Sequence, residues 1–179
     1  MVIVNYLDNP KIKKDIKPLF ISAFPMEERP PVNMYFASFK RDNNFLFGFY
    51  DNNQFIGFAS TKTLKDVCYI FFLAVKEEYR NQGYGSKILN ELKKMYKDYV
   101  LLLCYEEVDE KYKDYPNRVK REQFYQKNGF RRNPLVTEEF GVTYQTAVCG
   151  RRYVTFEEYK DIYVLGFSDY ALKFLKQVK

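Results

Sequence analysis

The segment Arg80-Asn81-Gln82-Gly83-Tyr84-Gly85-Ser86 has the makings of an anion site. It follows Val67–Val75, an apolar run that reads as a buried strand. It precedes a helical pattern, about Tyr84–Lys97, with apolar residues at Ile88, Leu89, Leu92 and Met95. Two glycines one residue apart let the backbone come close to a ligand. The amides at a helix start, together with the positive end of its dipole, attract an anion, most often a phosphate. The third glycine of a dinucleotide fold and the Gly-Lys-Ser/Thr of a Walker loop are absent. The same spacing also serves a plain strand–turn–helix crossover, and the residues alone leave both readings open.

Composition narrows the chemistry. The chain of 179 residues contains neither histidine nor tryptophan. No Ser–His–Asp or Cys–His nucleophile can be built, and no histidine can ligate zinc, haem or iron. Acid–base work falls to Asp, Glu, Tyr, Lys, Cys or water. Cys68, Cys104 and Cys149 are widely spaced and form no C-x-x-C, so neither a disulfide framework nor a zinc knuckle is expected. Cys104 reads as a small packed hydrophobe. The 17 tyrosines, 17 phenylalanines and 46% apolar content suit one compact domain that buries roughly 70% of its unfolded surface. Met1–Leu7 has no basic leader and no long apolar core, and no apolar stretch approaches the roughly 20 residues of a spanning helix. A cytoplasmic protein with no membrane partner is expected.

The elements around the loop follow from periodicity. Val2–Leu7 reads as a strand, and Lys11–Phe24 as a helix with Ile12, Ile16, Leu19, Phe20 and Ala23 on one face. Val32–Arg41 suggests a second helix after the Pro30-Pro31 break. Phe45–Tyr50 and Gln54–Ser60 flank Asp51-Asn52-Asn53 as a hairpin, because Asx residues tolerate positive φ. After the helix come a buried strand, Tyr99–Tyr105, and an acidic loop, Glu106–Glu110. A basic helix, about Asn117–Lys127, then ends at Asn128-Gly129. Phe130–Phe140 and Val142–Cys149 read as a strand pair. Thr155–Val164 and Ser168–Val178 read as two short helices, with Phe156, Tyr159, Tyr163 and Phe167 free for core packing or a dimer contact. The order predicts a mixed α/β plan.

Arg80-Asn81-Gln82-Gly83-Tyr84-Gly85 resembles the Arg/Gln-x-x-Gly-x-Gly/Ala motif of the GNAT superfamily of N-acetyltransferases. Leu73-Ala74-Val75 before it and Ile88-Leu89 after it are similar to that family too. Downstream, Phe124-Tyr125-Gln126-Lys127-Asn128-Gly129-Phe130 resembles its Tyr-x-x-x-Gly-Phe segment, separated from the first motif by one strand and one helix. The resemblance covers residues 1–150. It implies a GNAT-like acetyl-CoA-binding fold, with a mixed, mostly antiparallel central sheet flanked by helices. Residues 151–179 lie outside the resemblance and are expected to be a C-terminal helical extension packed on the same domain.

The resemblance also implies roles. Pantetheine would lie where Phe72–Val75 splays from Tyr99–Tyr105, against the backbone of Leu73, Ala74 and Val75. The loop Arg80, Asn81, Gln82, Gly83, Tyr84, Gly85 and Ser86 would hold the coenzyme A pyrophosphate, with Arg80 at its start. Tyr125 would stand beside the thioester sulfur as general acid, a role that suits a phenol protonated at neutral pH. The glutamate that many relatives carry early in the strand before the loop is missing, since Val67-Cys68-Tyr69-Ile70 stands there. Glu106 and Glu107, on the substrate side, are the candidates for base. Their acidic loop would attract a small cationic amine. Acetyl-CoA is the co-substrate, no metal is called for, and the chain would be a monomer or homodimer. Two rival readings are a non-catalytic acyl-CoA sensor and an RNA-binding protein. The second draws on the net charge of +6 and the clusters Lys11–Lys17 and Arg118–Arg121, but acidic residues are interspersed and no RNA-binding aromatic motif is present. No nucleic-acid partner is expected.

Overall fold

A computed structural model describes residues 1–165 and 169–178. In chain order the elements are β1 (Val2–Asn5), α1 (Lys13–Ala23), α2 (Val32–Ser38), β2 (Asn44–Asp51), β3 (Gln54–Leu64), β4 (Val67–Val75) and α3 (Tyr84–Met95). There follow β5 (Val100–Glu106), α4 (Tyr115–Lys127), β6 (Arg131–Glu139), β7 (Val142–Cys149), α5 (Phe156–Val164) and β8 (Leu175–Gln177). Short 3-10 turns stand at Pro10–Ile12, Met26–Glu28, Glu77–Tyr79 and Asp169–Phe174. The sheet order is β1-β2-β3-β4-β5-β7-β6-β8, mostly antiparallel, with β4 and β5 parallel.

The chain divides into two compact units, Met1–Lys62 with Ile70–Leu92, and Thr63–Tyr69 with Lys93–Lys179. The core of the first is aromatic. Ile16, Leu19 and Phe20 of α1 and Tyr35 and Phe36 of α2 are buried against Leu46, Phe58, Phe72 and Ala74 of the strands. Phe20 stacks on Tyr35 at 4.0 Å between ring centres and meets Phe72 edge-on at 5.2 Å. Such pairs add to the roughly 1.5–3 kcal/mol gained by burying each large side chain. The hairpin loop is Asn52-Asn53, both at positive φ, closed by Asp51 opposite Gln54.

Along β4 the first four residues are buried. The strand then alternates, with Phe72 and Ala74 in the core and Phe71, Leu73 and Val75 half-buried. Its end is packed against β3, where a Cβ on Gly57 would stand 2.3 Å from the Ala74 carbonyl oxygen. Only glycine fits there.

In the second unit β4 pairs with β5 through Val67–Tyr69 against Val100–Leu102. β5 also pairs with β7, and β6 lies between β7 and β8. Asn128 caps α4 and Gly129 follows at φ 84°, as the sequence predicts. Thr155 and Glu158 form a reciprocal capping box on α5.

Three expectations change. Met95 is 41% exposed and lies outside the buried stripe of α3. The second C-terminal helix is a 3-10 turn followed by β8, which pairs with the edge of β6 through Thr137–Glu139. Backbone pairing at an open strand edge and the stack of Phe174 on Phe140 at 4.9 Å outweigh a local helical pattern. Phe167 and Ser168 lie outside the described residues. Cys104 is half-buried, and its sulfur lies 2.9 Å from the Tyr69 hydroxyl, so it is a polar partner rather than a packed hydrophobe.

Gly57→Ala should destabilise the protein by about 1–3 kcal/mol, because Ala74 backbone must move to admit one methyl group. Urea unfolding measures this, and a midpoint equal to wild type would contradict the close approach.

Candidate functional site

In the first unit, the chain leaves β4 at Val75, and Lys76 N–H donates to Ile56 O at 2.9 Å. After the Glu77–Tyr79 turn, Arg80 folds back and donates from Nε to Val75 O at 3.2 Å. Gln82 donates from Nε2 to Glu78 O at 2.7 Å, which fixes the loop from within. Asn81 and Gly83 take φ of 60° and 81°, the left-handed conformation that aims successive amides to one side. The first helical bond of α3 is Lys87 N to Gly83 O, so the amides of Tyr84, Gly85 and Ser86 precede any acceptor within the helix. Asn81, Gln82 and Gly83 are exposed, and a Cβ at Gly83 would meet nothing within 4 Å. Tyr84 does not reach toward the loop opening, because its hydroxyl donates to Asp51 at 2.9 Å and ties α3 to the hairpin. Lys87 lies over its ring.

In the second unit, Tyr125 sits on the last turns of α4. Its ring stacks on Tyr105 at 5.6 Å and meets Phe130 edge-on at 6.0 Å. Burial pushes its phenol up to about 12, against a smaller opposing pull from Arg121. Tyr105 in turn donates to Glu122 at 2.7 Å, and Glu122 accepts two bonds from Arg132 at 2.5 and 3.0 Å. This bidentate pair fixes α4 to β5 and β6, and so fixes the bed on which Tyr125 lies. No local pattern marks this pairing, because Glu122 and Arg132 lie ten positions apart on different elements.

The acidic loop differs from expectation. Glu106 is the last residue of β5, buried, and ion-paired with Arg121 of α4. Glu107 pairs with Lys111 at 3.3 Å, and Lys111 also holds Asp109 at 3.0 Å. The negative charge that would draw a cationic amine is largely matched by cations of the same loop and of α4. A second group of polar residues was also unread. Tyr69, Cys104, Tyr159 and Glu139 are joined by hydrogen bonds, and the available signals were a tyrosine inside an apolar strand and a glutamate ending another.

Among the described residues no helix is long and apolar enough to cross a membrane, and no group of three or more His, Cys, Asp or Glu could hold a metal ion.

An open, mostly antiparallel sheet, with one parallel pair and a glycine loop that opens a helix, is an acetyltransferase-type α/β fold. A family model described as acetyltransferase (GNAT) family matches residues 10–130, and the chain belongs to that family. A search of curated proteins returned no match. Among solved structures, a protein of Bacteroides thetaiotaomicron assigned to the GNAT family is 19% identical, with a TM-score of 0.76, covering 96% of this chain and 99% of its own. An aminoglycoside 6'-N-acetyltransferase complexed with coenzyme A is 15% identical, with a TM-score of 0.66 and coverage of 85% and 99%. The ribosomal-protein-S18-alanine N-acetyltransferase of Escherichia coli is 16% identical, with a TM-score of 0.61 and coverage of 87% and 100%. At these identities the likeness establishes the fold.

Glu122 carries a pH prediction. Arg132 holds its carboxyl below the ordinary glutamate value of about 4.3. A depressed folded value stabilises the protein above the unfolded value, and that stability is lost as pH falls through the folded one. Unfolding free energy should therefore decline below about pH 4, and Glu122→Gln should flatten that decline in a pH series of denaturant melts. An equally steep decline in the variant would contradict the pairing.

Proposed function

We propose that this protein is an N-acetyltransferase that uses acetyl-CoA to acetylate a primary amine by direct attack. The observation that carries the reading is the loop Arg80–Ser86, whose left-handed Asn81 and Gly83 lead into the first amides of α3, with open space around Gly83. That cradle fits a pyrophosphate. When bound, acetyl-CoA supplies an acetyl group activated as a thioester. The amides of Gln82 to Ser86 would hold its pyrophosphate, and Arg80 would support the charge from the loop start. The β4 backbone at Leu73, Ala74 and Val75 would take the pantetheine arm. Lys76 N–H is bonded to Ile56 O, so an oxyanion donor would come from an amide nearer Val75. Tyr125 would give its proton to the departing thiolate. A phenol raised to about 12 is protonated throughout the physiological range and suits an acid.

The comparisons support acetyl transfer within the family without choosing the acceptor. An aminoglycoside and an alanine of ribosomal protein S18 are named for structural neighbours of similar likeness. The pairing of Glu106 with Arg121 and of Glu107 with Lys111 favours one rival, an acyl-CoA sensor without turnover, since both candidate bases already face a cation. We place the protein in the cytoplasm, where the free thiols of Cys68, Cys104 and Cys149 stay reduced.

Release of free thiol from acetyl-CoA with a panel of amines separates enzyme from sensor. Tyr125→Phe should lower that rate about 100-fold while acetyl-CoA affinity by calorimetry is retained. An unchanged rate would remove Tyr125 from the acid role. Gly83→Val places a branched side chain at φ 81° in the open space of the loop. It should abolish acetyl-CoA binding with the fold intact by circular dichroism, and retained affinity would contradict the loop assignment.

A further inference from the structure

The second unit holds a chain of hydrogen bonds that the proposed acid does not use. Tyr69 and Leu102 are the last residues of the β4–β5 pairing, and Cys104 lies two residues further along β5. Cys104 Sγ is 2.9 Å from the Tyr69 hydroxyl, which is 3.1 Å from the Tyr159 hydroxyl. Tyr159 in turn donates to Glu139 at the end of β6. Thr137 donates to the same carboxyl at 3.1 Å, and Tyr163 bonds it as well. Tyr69, Tyr159, Tyr163 and Thr137 are buried, and the residues at the two ends, Cys104 and Glu139, are half-buried.

The direction of the chain follows from donor counting. A carboxylate only accepts, so Tyr159 donates to Glu139. Its single proton is then committed, so Tyr69 must donate to Tyr159, and Cys104 to Tyr69. Every link points from the end of the β4–β5 pairing toward the carboxylate. The groups facing Glu139 are Tyr159 and Tyr163 of α5, with Cys104 of β5 and Tyr69 of β4 behind them and Tyr144 of β7 near Tyr163. Its neighbour Glu138 is engaged with Lys176 of β8 at 3.2 Å. Tyr125 lies on Tyr105, the residue after Cys104.

We propose that Glu139, acting through Tyr159, Tyr69 and Cys104, takes up the proton that the acceptor ammonium must lose before attack. This rests on the acetyl-transfer reading above. The step balances. The ammonium N–H bond breaks and its proton passes to Cys104 Sγ as the thiol proton moves to Tyr69, the Tyr69 proton to Tyr159, and the Tyr159 proton to Glu139. Each relay group ends neutral, and the carboxylate becomes a carboxylic acid that releases its proton to solvent. The free amine then forms the C–N bond as the C–S bond breaks. Burial raises the Glu139 carboxyl above its ordinary value, which makes it a better proton acceptor than an exposed glutamate.

The test uses the full chain and thiol release across pH with an amine acceptor. Glu139→Gln should lower turnover at pH 7 about 100-fold and move the rising limb of the rate profile toward the amine's own value of about 10.4, with acetyl-CoA affinity unchanged. Tyr69→Phe keeps the packing and removes one hydroxyl, so it should move the limb in the same direction even if the glutamine variant fails to fold. In the ligand-free protein, carbon-13 NMR of labelled glutamate should show Glu139 titrating above about 4.3. A wild-type profile in both variants, or an ordinary titration, overturns the relay while leaving acetyl transfer intact. Wild-type protein that binds acetyl-CoA and acetylates no amine overturns the transfer reading, and the relay with it.

Discussion

The short pairing of β4 with β5 is the constraint on which the rest of the structure depends. Parallel strands joined by a helix are held by slanted bonds along their whole overlap in an ordinary crossover. Here the ladder covers Val67–Tyr69 against Val100–Leu102, although β4 runs on to Val75 and β5 to Glu106. The residues past the ladder need other support. In the first unit β4 finds it in the close approach of Gly57 and in the aromatic core around Phe72 and Ala74. In the second, β5 finds it in six residues paired with β7 and in the Tyr105–Glu122–Arg132 tie.

In the proposed reading, the chemical work would divide between two kinds of group. The loop at the end of β4 would work with backbone. Its amides are aimed by left-handed Asn81 and Gly83 and by the helix start, and the side chains of Arg80, Gln82 and Tyr84 are occupied in holding the loop in shape. The second unit would work with side chains that carry protons. Tyr125 is made a reluctant phenol by its aromatic bed, and the Tyr69–Tyr159–Glu139 chain forms a path lined by hydroxyl groups. A chain without histidine is thus left with backbone dipoles, phenols and carboxylates, which is the inventory that the structure places in order.

Charge is the property that composition describes least well. The net charge of +6 and the acidic loop suggested long-range attraction of a partner. In the folded chain Arg121, Lys111 and Arg118 answer Glu106, Glu107 with Asp109, and Asp114. Partly exposed as they are, these pairs remove the local excess that would steer a ligand.

Elements with strong local signals were legible in the sequence. These were the hairpin around Asp51-Asn52-Asn53, the stripe of Ile88, Leu89 and Leu92, the glycine loop, and the Asn128-Gly129 stop of α4. Each depends on contacts within a few residues, where periodicity and turn chemistry dominate. The Tyr125 segment was legible by its resemblance to a family. What only the tertiary structure decided joins distant residues: Glu106 to Arg121, Glu122 to Arg132, Tyr69 to Tyr159 across 90 positions, and β8 to the edge of β6. A carboxylate or phenol has the same letter whether it faces water or a buried cation. Its partner, and with it its proton affinity, is fixed only when the chain has packed.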